Sequence, residues 1–244
     1  MRVEAGVAVV TLLCVAGGVL CHAANITTTW STFLHHYIQA YTYNTVCFFV
    51  PTNESAWRGW VWAVFPGVAR QTSAFITVRE DMSEAQLWGR TLMITPLWTE
   101  QHAEQLSQWL SQETVDHLRW LVVAQRNFSN LASLVYFPLL NQATLAVQEG
   151  EEVNVWEIYQ IDEGWRQRVE LVGWWRPGLS PPLLDLPPED VVPRRTNLTG
   201  LHLRCLTLES QPSTFSQLKE DGTVQVLGWF ADVWREMQRL SNFT

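Results

Sequence analysis

The sequence predicts an α/β protein: an amino-terminal domain with a largely parallel sheet, then a proline-rich linker, then the opening of a second unit. Three observations carry this. Short β-branched and aromatic runs alternate with segments of helical period between residues 27 and 139, the pattern of βαβ units. Pro177, Pro181, Pro182, Pro187, Pro188 and Pro193, six of the eleven prolines, crowd into one stretch. Beyond it, an apolar strand pattern and an amphipathic helix pattern follow each other with too little chain to close a core of their own.

Taken in order, Thr27 to Tyr43 reads as a helix, with Trp30, Phe33, Leu34, Tyr37, Ile38 and Tyr41 on one face. Thr45 to Val50 is a buried strand stopped by Pro51, and Trp57 to Val64 fits strand or helix equally. Ala74 to Val78 is a strand, Ser83 to Trp88 a short helix and Thr91 to Thr95 a strand. Glu100 to Ser111 is a helix with Ala103, Leu106, Trp109 and Leu110 inward. Arg119 to Ala124 is a strand and Ser129 to Leu139 a helix. Strands at Ala143 to Val147, Val153 to Ile161 and Arg168 to Trp174 complete the domain, with Asp162-Glu163-Gly164 turning the chain between the last two. Proline cannot donate to a ladder, so the stretch 177–195 is expected to be irregular. Leu201 to Leu208 reads as a strand, Asp221-Gly222 as a turn inside a polar loop, and Trp229 to Ser241 as a helix. Its face is Phe230, Val233, Trp234, Met237 and Leu240.

Composition narrows the function classes. The net charge of -8 and the 16% of charged residues leave no basic stripe to neutralise phosphates and no polybasic segment for an anionic bilayer. The 14 tryptophans are expected in the core. Trp174-Trp175 and Trp57, Trp60 and Trp62 are the clusters that could instead stack on a ligand such as a sugar. Adjacent His35 and His36 point to different sides of a helix and make no metal pair. There is no GxSxG elbow and no Gly-rich phosphate loop, and nothing calls for a cofactor or metal. Glu149, Glu151 and Glu152 read as a solvated turn.

The route of the chain is legible at its start. Arg2, the apolar run Val7 to Leu20, and Cys21 and Ala23 at the −3 and −1 places have the anatomy of a signal peptide cleaved after Ala23. Five Asn-x-Ser/Thr acceptors follow, at Asn25, Asn53, Asn127, Asn197 and Asn242, as expected of a glycosylated ectodomain. Cys47 and Cys205 remain in the mature chain and allow one disulfide; each is equally read as a small buried hydrophobe. The expected organisation is signal peptide 1–23, α/β domain 24–176, linker 177–195 and an incomplete domain 196–244.

A resemblance enters at residues 194 to 244. Arg194-Arg195, Asn197-Leu198-Thr199-Gly200, the run Leu201 to Leu208, the Pro212 to Phe215 loop, Gly228-Trp229-Phe230-Ala231-Asp232 and Asn242-Phe243-Thr244 occur in that order. The set is similar to the start of the ligand-binding domain of ionotropic glutamate receptors, most of all the divergent chemosensory ionotropic receptors of arthropods. Val155-Trp156-Glu157-Ile158-Tyr159 and Gly173-Trp174-Trp175 resemble the end of the amino-terminal domain in the same receptors. The resemblance implies a clamshell ligand-binding domain related to bacterial solute-binding proteins, whose closure pulls on a cation pore. It implies a small-molecule ligand, other receptor subunits as partners, and membrane contact only through segments absent from this chain. It places Glu209 and Phe215 beside the ligand cleft. Outside this family, the rival expectations are a secreted small-molecule-binding glycoprotein and a secreted α/β hydrolase.

Overall fold

The computed structural model describes residues 28–50, 55–79, 90–111, 118–178, 183–188, 190–203 and 206–244. The expected signal peptide and the expected helix at Ser83 to Trp88, with Asn25, Asn53 and Cys205, lie outside them. The chain divides into two compact units, the first ending at Glu189 and the second running Asp190–Thr244. The division falls inside the stretch expected to be linker.

The first unit is built on eight strands: β1 (Thr45–Phe49), β2 (Phe75–Arg79), β3 (Thr91–Leu97), β4 (Arg119–Ala124), β5 (Ala143–Glu149), β6 (Glu152–Tyr159), β7 (Arg168–Arg176) and β8 (Leu183–Asp185). Their order in the sheet is β2-β1-β3-β4-β5-β6-β7-β8. The first five pair parallel, and β5 to β8 pair antiparallel. Four helices pack on it: α1 (28–40), α2 (Ser55–Gln71), α3 (Glu100–Leu110) and the short α4 (Ser129–Ala132). This is the largely parallel α/β architecture that the alternating patterns predict.

The parallel strands read as unbroken apolar runs because both faces are covered. Val46 and Phe48 join a core with Trp30, Phe33, Leu34 and Tyr37 of α1 and Trp57, Val61, Val64 and Val68 of α2. Cys47 and Phe49 point the other way, into a core with Ala103, Leu106 and Leu110 of α3 and Ala132 of α4. The same split separates Leu92 and Ile94 from Met93, and Leu121 and Val123 from Trp120 and Val122. A one-residue slip in any of these strands would exchange the two cores.

α1 and α2 meet closely. A Cβ on Gly67 would stand 2.4 Å from the Ser31 hydroxyl oxygen, and that hydroxyl donates to the Val64 carbonyl. The segment Trp57 to Val64, ambiguous in sequence, is the middle of α2; Pro66 sits exposed inside that helix. α3 is capped reciprocally. The Thr99 hydroxyl accepts from the His102 amide at 3.3 Å, and His102 Nδ1 accepts from the Trp98 amide at 3.2 Å.

Three expectations need correction. The helix expected over Ser129 to Leu139 stops at Ala132. Pro138 disfavours helix just before it, and the Gln167 carboxamide donates to the freed carbonyls of Ala132 and Val135, both at 2.7 Å. The proline-rich stretch is not wholly irregular: Leu183, Leu184 and Asp185 form β8. It lies at the sheet edge, where flanking prolines leave no ladder bond unmade. The described residues of Leu201 to Leu208 form no strand, and the polar loop after it carries two strands instead, β9 (Phe215–Leu218) and β10 (Val224–Leu227).

Among the described residues, no helix is long and apolar enough to cross a membrane.

Candidate functional site

The second unit holds both residues singled out beside a cleft. β9 and β10 form an antiparallel hairpin closed at Asp221-Gly222. The Asp221 carboxylate accepts from the Thr223 amide at 2.8 Å and its hydroxyl at 2.6 Å, an Asx turn, and Gly222 takes φ 80°. Those bonds, the Thr223 hydroxyl first, hold the Asp221 carboxyl below its ordinary value. α5 (Trp229–Ser241) follows at once.

Phe215 opens β9, opposite Leu227. Glu209 precedes a tight loop in which Ser210 and Thr214 exchange backbone bonds of 2.8 and 2.9 Å. Its carboxylate accepts from the Ser216 amide at 3.0 Å and from the Ser216 hydroxyl. Glu209 is therefore tied to the mouth of the hairpin through Ser216, the residue after Phe215 in β9, whose side chain lies on the opposite strand face from the Phe215 ring. The two bonds from Ser216, its hydroxyl first, pull the Glu209 carboxyl below its ordinary value and favour its charged form. Ser216 carries no signal in sequence, because its link to Glu209 depends on a hairpin made of polar residues.

The hairpin mouth is fixed to α5 by a close backbone approach. Gly228 takes φ 104°, and a Cβ there would lie 2.4 Å from the Ser213 carbonyl oxygen. That carbonyl accepts from the Phe230 amide at 3.2 Å, which satisfies one of the free N–H groups at the helix start.

At the other end of α5, Asn242 caps the helix with φ 55°. The chain then returns to the start of the unit. The Thr244 amide donates to the Leu201 carbonyl at 2.9 Å, and the Leu203 amide donates to the Thr244 carbonyl at 2.8 Å. One residue bonded to the two neighbours of another in this way is a parallel pairing, here of Thr244 with His202. The side chains agree, with the Thr244 hydroxyl 2.7 Å from His202 Nδ1. After the hairpin and α5, Thr244 thus returns to segment 201–203 in a one-residue bridge of parallel sense. The sequence pattern predicts the helix; the pairing is visible only in three dimensions.

Apolar side chains of the unit remain in solvent. Trp229, Phe230, Val233, Met237 and Leu240 of α5 are all about half exposed or more, and Leu206 is 95% exposed.

In the first unit the tryptophan clusters turn inward. Trp57 is wholly buried, donates Nε1–H to the Phe49 carbonyl at 2.6 Å, and stacks on Trp60 at 4.5 Å. Trp175 is wholly buried and donates to His36 Nδ1 at 3.1 Å. Trp174 lies under the Arg176 guanidinium, 4.6 Å from its ring centre. Trp62 is exposed and packs beside Phe65. Neither cluster presents a flat aromatic floor to a ligand. Cys47 is a free, buried thiol, and burial first of all raises its pKa. Among the described residues, no group of three His, Cys, Asp or Glu is placed to hold a metal.

The order β2-β1-β3-β4-β5 reverses direction between β1 and β3. In open α/β sheets a ligand crevice opens at the carboxyl ends of the strands at such a point. There the groups met are Trp57, Trp98, Thr99 and His102, joined to one another and to the backbone by the bonds given above.

No family model matches this chain, and no curated protein or solved structure matches it.

Proposed function

We propose that the chain is the extracellular portion of a ligand-gated cation channel of the ionotropic glutamate receptor superfamily, of the chemosensory kind. The observation that carries this reading is the parallel pairing of Thr244 with segment 201–203 across the hairpin and α5. A chain that returns after one helix to pair in parallel sense with its own start makes the kind of connection from which α/β lobes are built, and this one spans the same ordered motifs that carry the resemblance. In this reading the exposed apolar face of α5 packs against the rest of that lobe in the longer protein. Glu209, held ionised by Ser216, faces the cleft. A fixed carboxylate suits a protonated amine among the ligands of such receptors. The first unit is the amino-terminal domain that precedes the ligand-binding domain, and the secretory signal and acceptor asparagines bring the chain to the extracellular face.

The test is the transcript beyond the Thr244 codon. Three membrane-spanning helices around a pore segment, and a second half of the ligand-binding domain, would uphold the reading. A stop codon at that point would overturn it, leaving a secreted binding glycoprotein as the reading to pursue.

A further inference from the structure

We infer that Asn127 carries an N-linked glycan and that this glycan covers the carboxyl edge of the sheet over β4 and β5. The inference rests on the secretory route in the reading above and adds to it a particular site and its consequence for the first unit.

The local architecture points this way. β4 ends at Ala124, and Asn127-Phe128-Ser129 follows in the turn before α4. Phe128 is buried and packs on Trp156 with ring centres 5.9 Å apart. An aromatic anchored in the middle of the acceptor triplet throws its two neighbours outward, and both Asn127 and Ser129 are exposed. Those are the two side chains the transferring enzyme must reach, the amide as acceptor and the hydroxyl as its required partner.

The other described acceptors differ. At Asn197 the side-chain oxygen accepts from the Thr199 amide at 3.1 Å and from the Thr199 hydroxyl at 2.5 Å, closing the triplet on itself. At Asn242 the amide nitrogen donates to the Thr199 hydroxyl at 2.7 Å while the residue caps α5. A sugar on that nitrogen would compete with the contact that holds the end of α5 to the start of the unit.

The transfer forms a bond between Asn127 Nδ2 and the anomeric carbon of an oligosaccharide. It breaks that carbon's bond to a phosphate oxygen of a lipid-linked diphosphate donor. One amide proton is released, and the lipid diphosphate leaves.

The place of the glycan matters. Arg126 pairs with Glu149 at 3.5 Å, so the turn carrying Asn127 sits against the carboxyl end of β5. A glycan there covers the carboxyl ends of β4 and β5, to one side of the β1–β3 reversal at which a ligand crevice of such a sheet opens.

The experiment uses the full chain, with its own N-terminus, expressed in cultured secretory eukaryotic cells. Peptide N-glycosidase treatment in heavy-oxygen water marks each occupied asparagine as labelled aspartate for mass spectrometry. We expect the label at Asn127, and the loss of one glycan-sized gel shift in both Asn127→Gln and Ser129→Ala. The second variant keeps the asparagine, so the two together separate lost glycosylation from misfolding. Carbodiimide labelling of Glu149 should rise in secreted Asn127→Gln relative to the wild type, with Glu163 unchanged as the control. A secreted chain labelled at other acceptors but not at Asn127 overturns this inference alone. A chain retained in the cytosol without any glycan overturns the secretory reading with it. Equal labelling of Glu149 in both proteins overturns the coverage of the edge.

Discussion

Protonation of His36 should loosen the first unit, and the reason is a single hydrogen bond. Trp175 is 0% exposed, and its indole N–H donates to His36 Nδ1 at 3.1 Å. The imidazole can accept there only while that nitrogen carries no proton. Its pKa is held below the ordinary value, first by burial and then by the charge of His35, against a hydrogen bond to the Thr32 backbone. The sign follows from linkage. The unfolded chain takes up the proton first, so stability is complete above the ordinary imidazole value of about 6.5. It declines as pH falls through that value toward the lower folded one, and below both the loss is complete. Once the ring is charged, a buried indole N–H has no acceptor and faces a second donor. Leaving such a group unsatisfied costs about 1–3 kcal/mol, and each kcal/mol moves the midpoint by roughly 2–4 °C in a domain of this size. The assay is thermal unfolding followed by tryptophan fluorescence at about pH 7.5 and about pH 5.5, which bracket the ordinary imidazole value. His36→Gln keeps an acceptor oxygen and cannot titrate, so it should lose less on acidification than the wild type. An equal loss in the two would refute the reasoning.

Other expectations test separate parts of the fold and site. Gly67→Ala should destabilise by about 1–3 kcal/mol through the collision with Ser31, and Ser31→Gly should restore most of it in a double-mutant cycle read by urea unfolding. Trp57→Phe removes the bond to the Phe49 carbonyl and should cost about 1–3 kcal/mol. Trp62→Ala, on the exposed side of the same helix, should stay within about 0.5 kcal/mol, since nothing buried is lost. Ser216→Ala should raise the Glu209 pKa toward the ordinary carboxyl value, as read by carbon NMR titration of the labelled carboxylate. An unmoved titration would mean that Ser216 does not anchor Glu209.

Where sequence reading succeeded, it did so because one force dominated. β1 and β3 to β6 are strongly patterned for burial, and α3 and α5 keep one apolar face, so period alone locates them. α2 is ambiguous in sequence because its aromatic residues surround the helix, with Trp62 exposed, Phe65 half-buried against Phe48, and a proline inside. α4 was overextended because Val135 and Phe137 continue the apolar pattern. They are buried without being helical: the Val135 carbonyl accepts from Gln167 and the Phe137 amide donates to Gln160. The hairpin β9–β10 was missed for the opposite reason: its strands are short and largely exposed, so no burial pattern marks them. The candidate site shared this blindness. Glu209 and Phe215 were named from their place in an ordered set of motifs, whereas Ser216, which holds Glu209, and Gly228, which lets α5 approach, become meaningful only once the backbone has closed around them.

β8 has a mechanical consequence. It is three residues long and pairs with β7 at the sheet edge, and just after it the Tyr41 hydroxyl donates to the Pro187 carbonyl at 2.8 Å. Tension applied to the chain beyond Pro188 therefore reaches this flap first, while β1, β3 and β4 are clamped on both sides by neighbouring strands. The flap would peel away as a short early extension in a single-molecule pulling trace. It would pay out slack from the proline-rich stretch and spare the parallel sheet until the force had risen further.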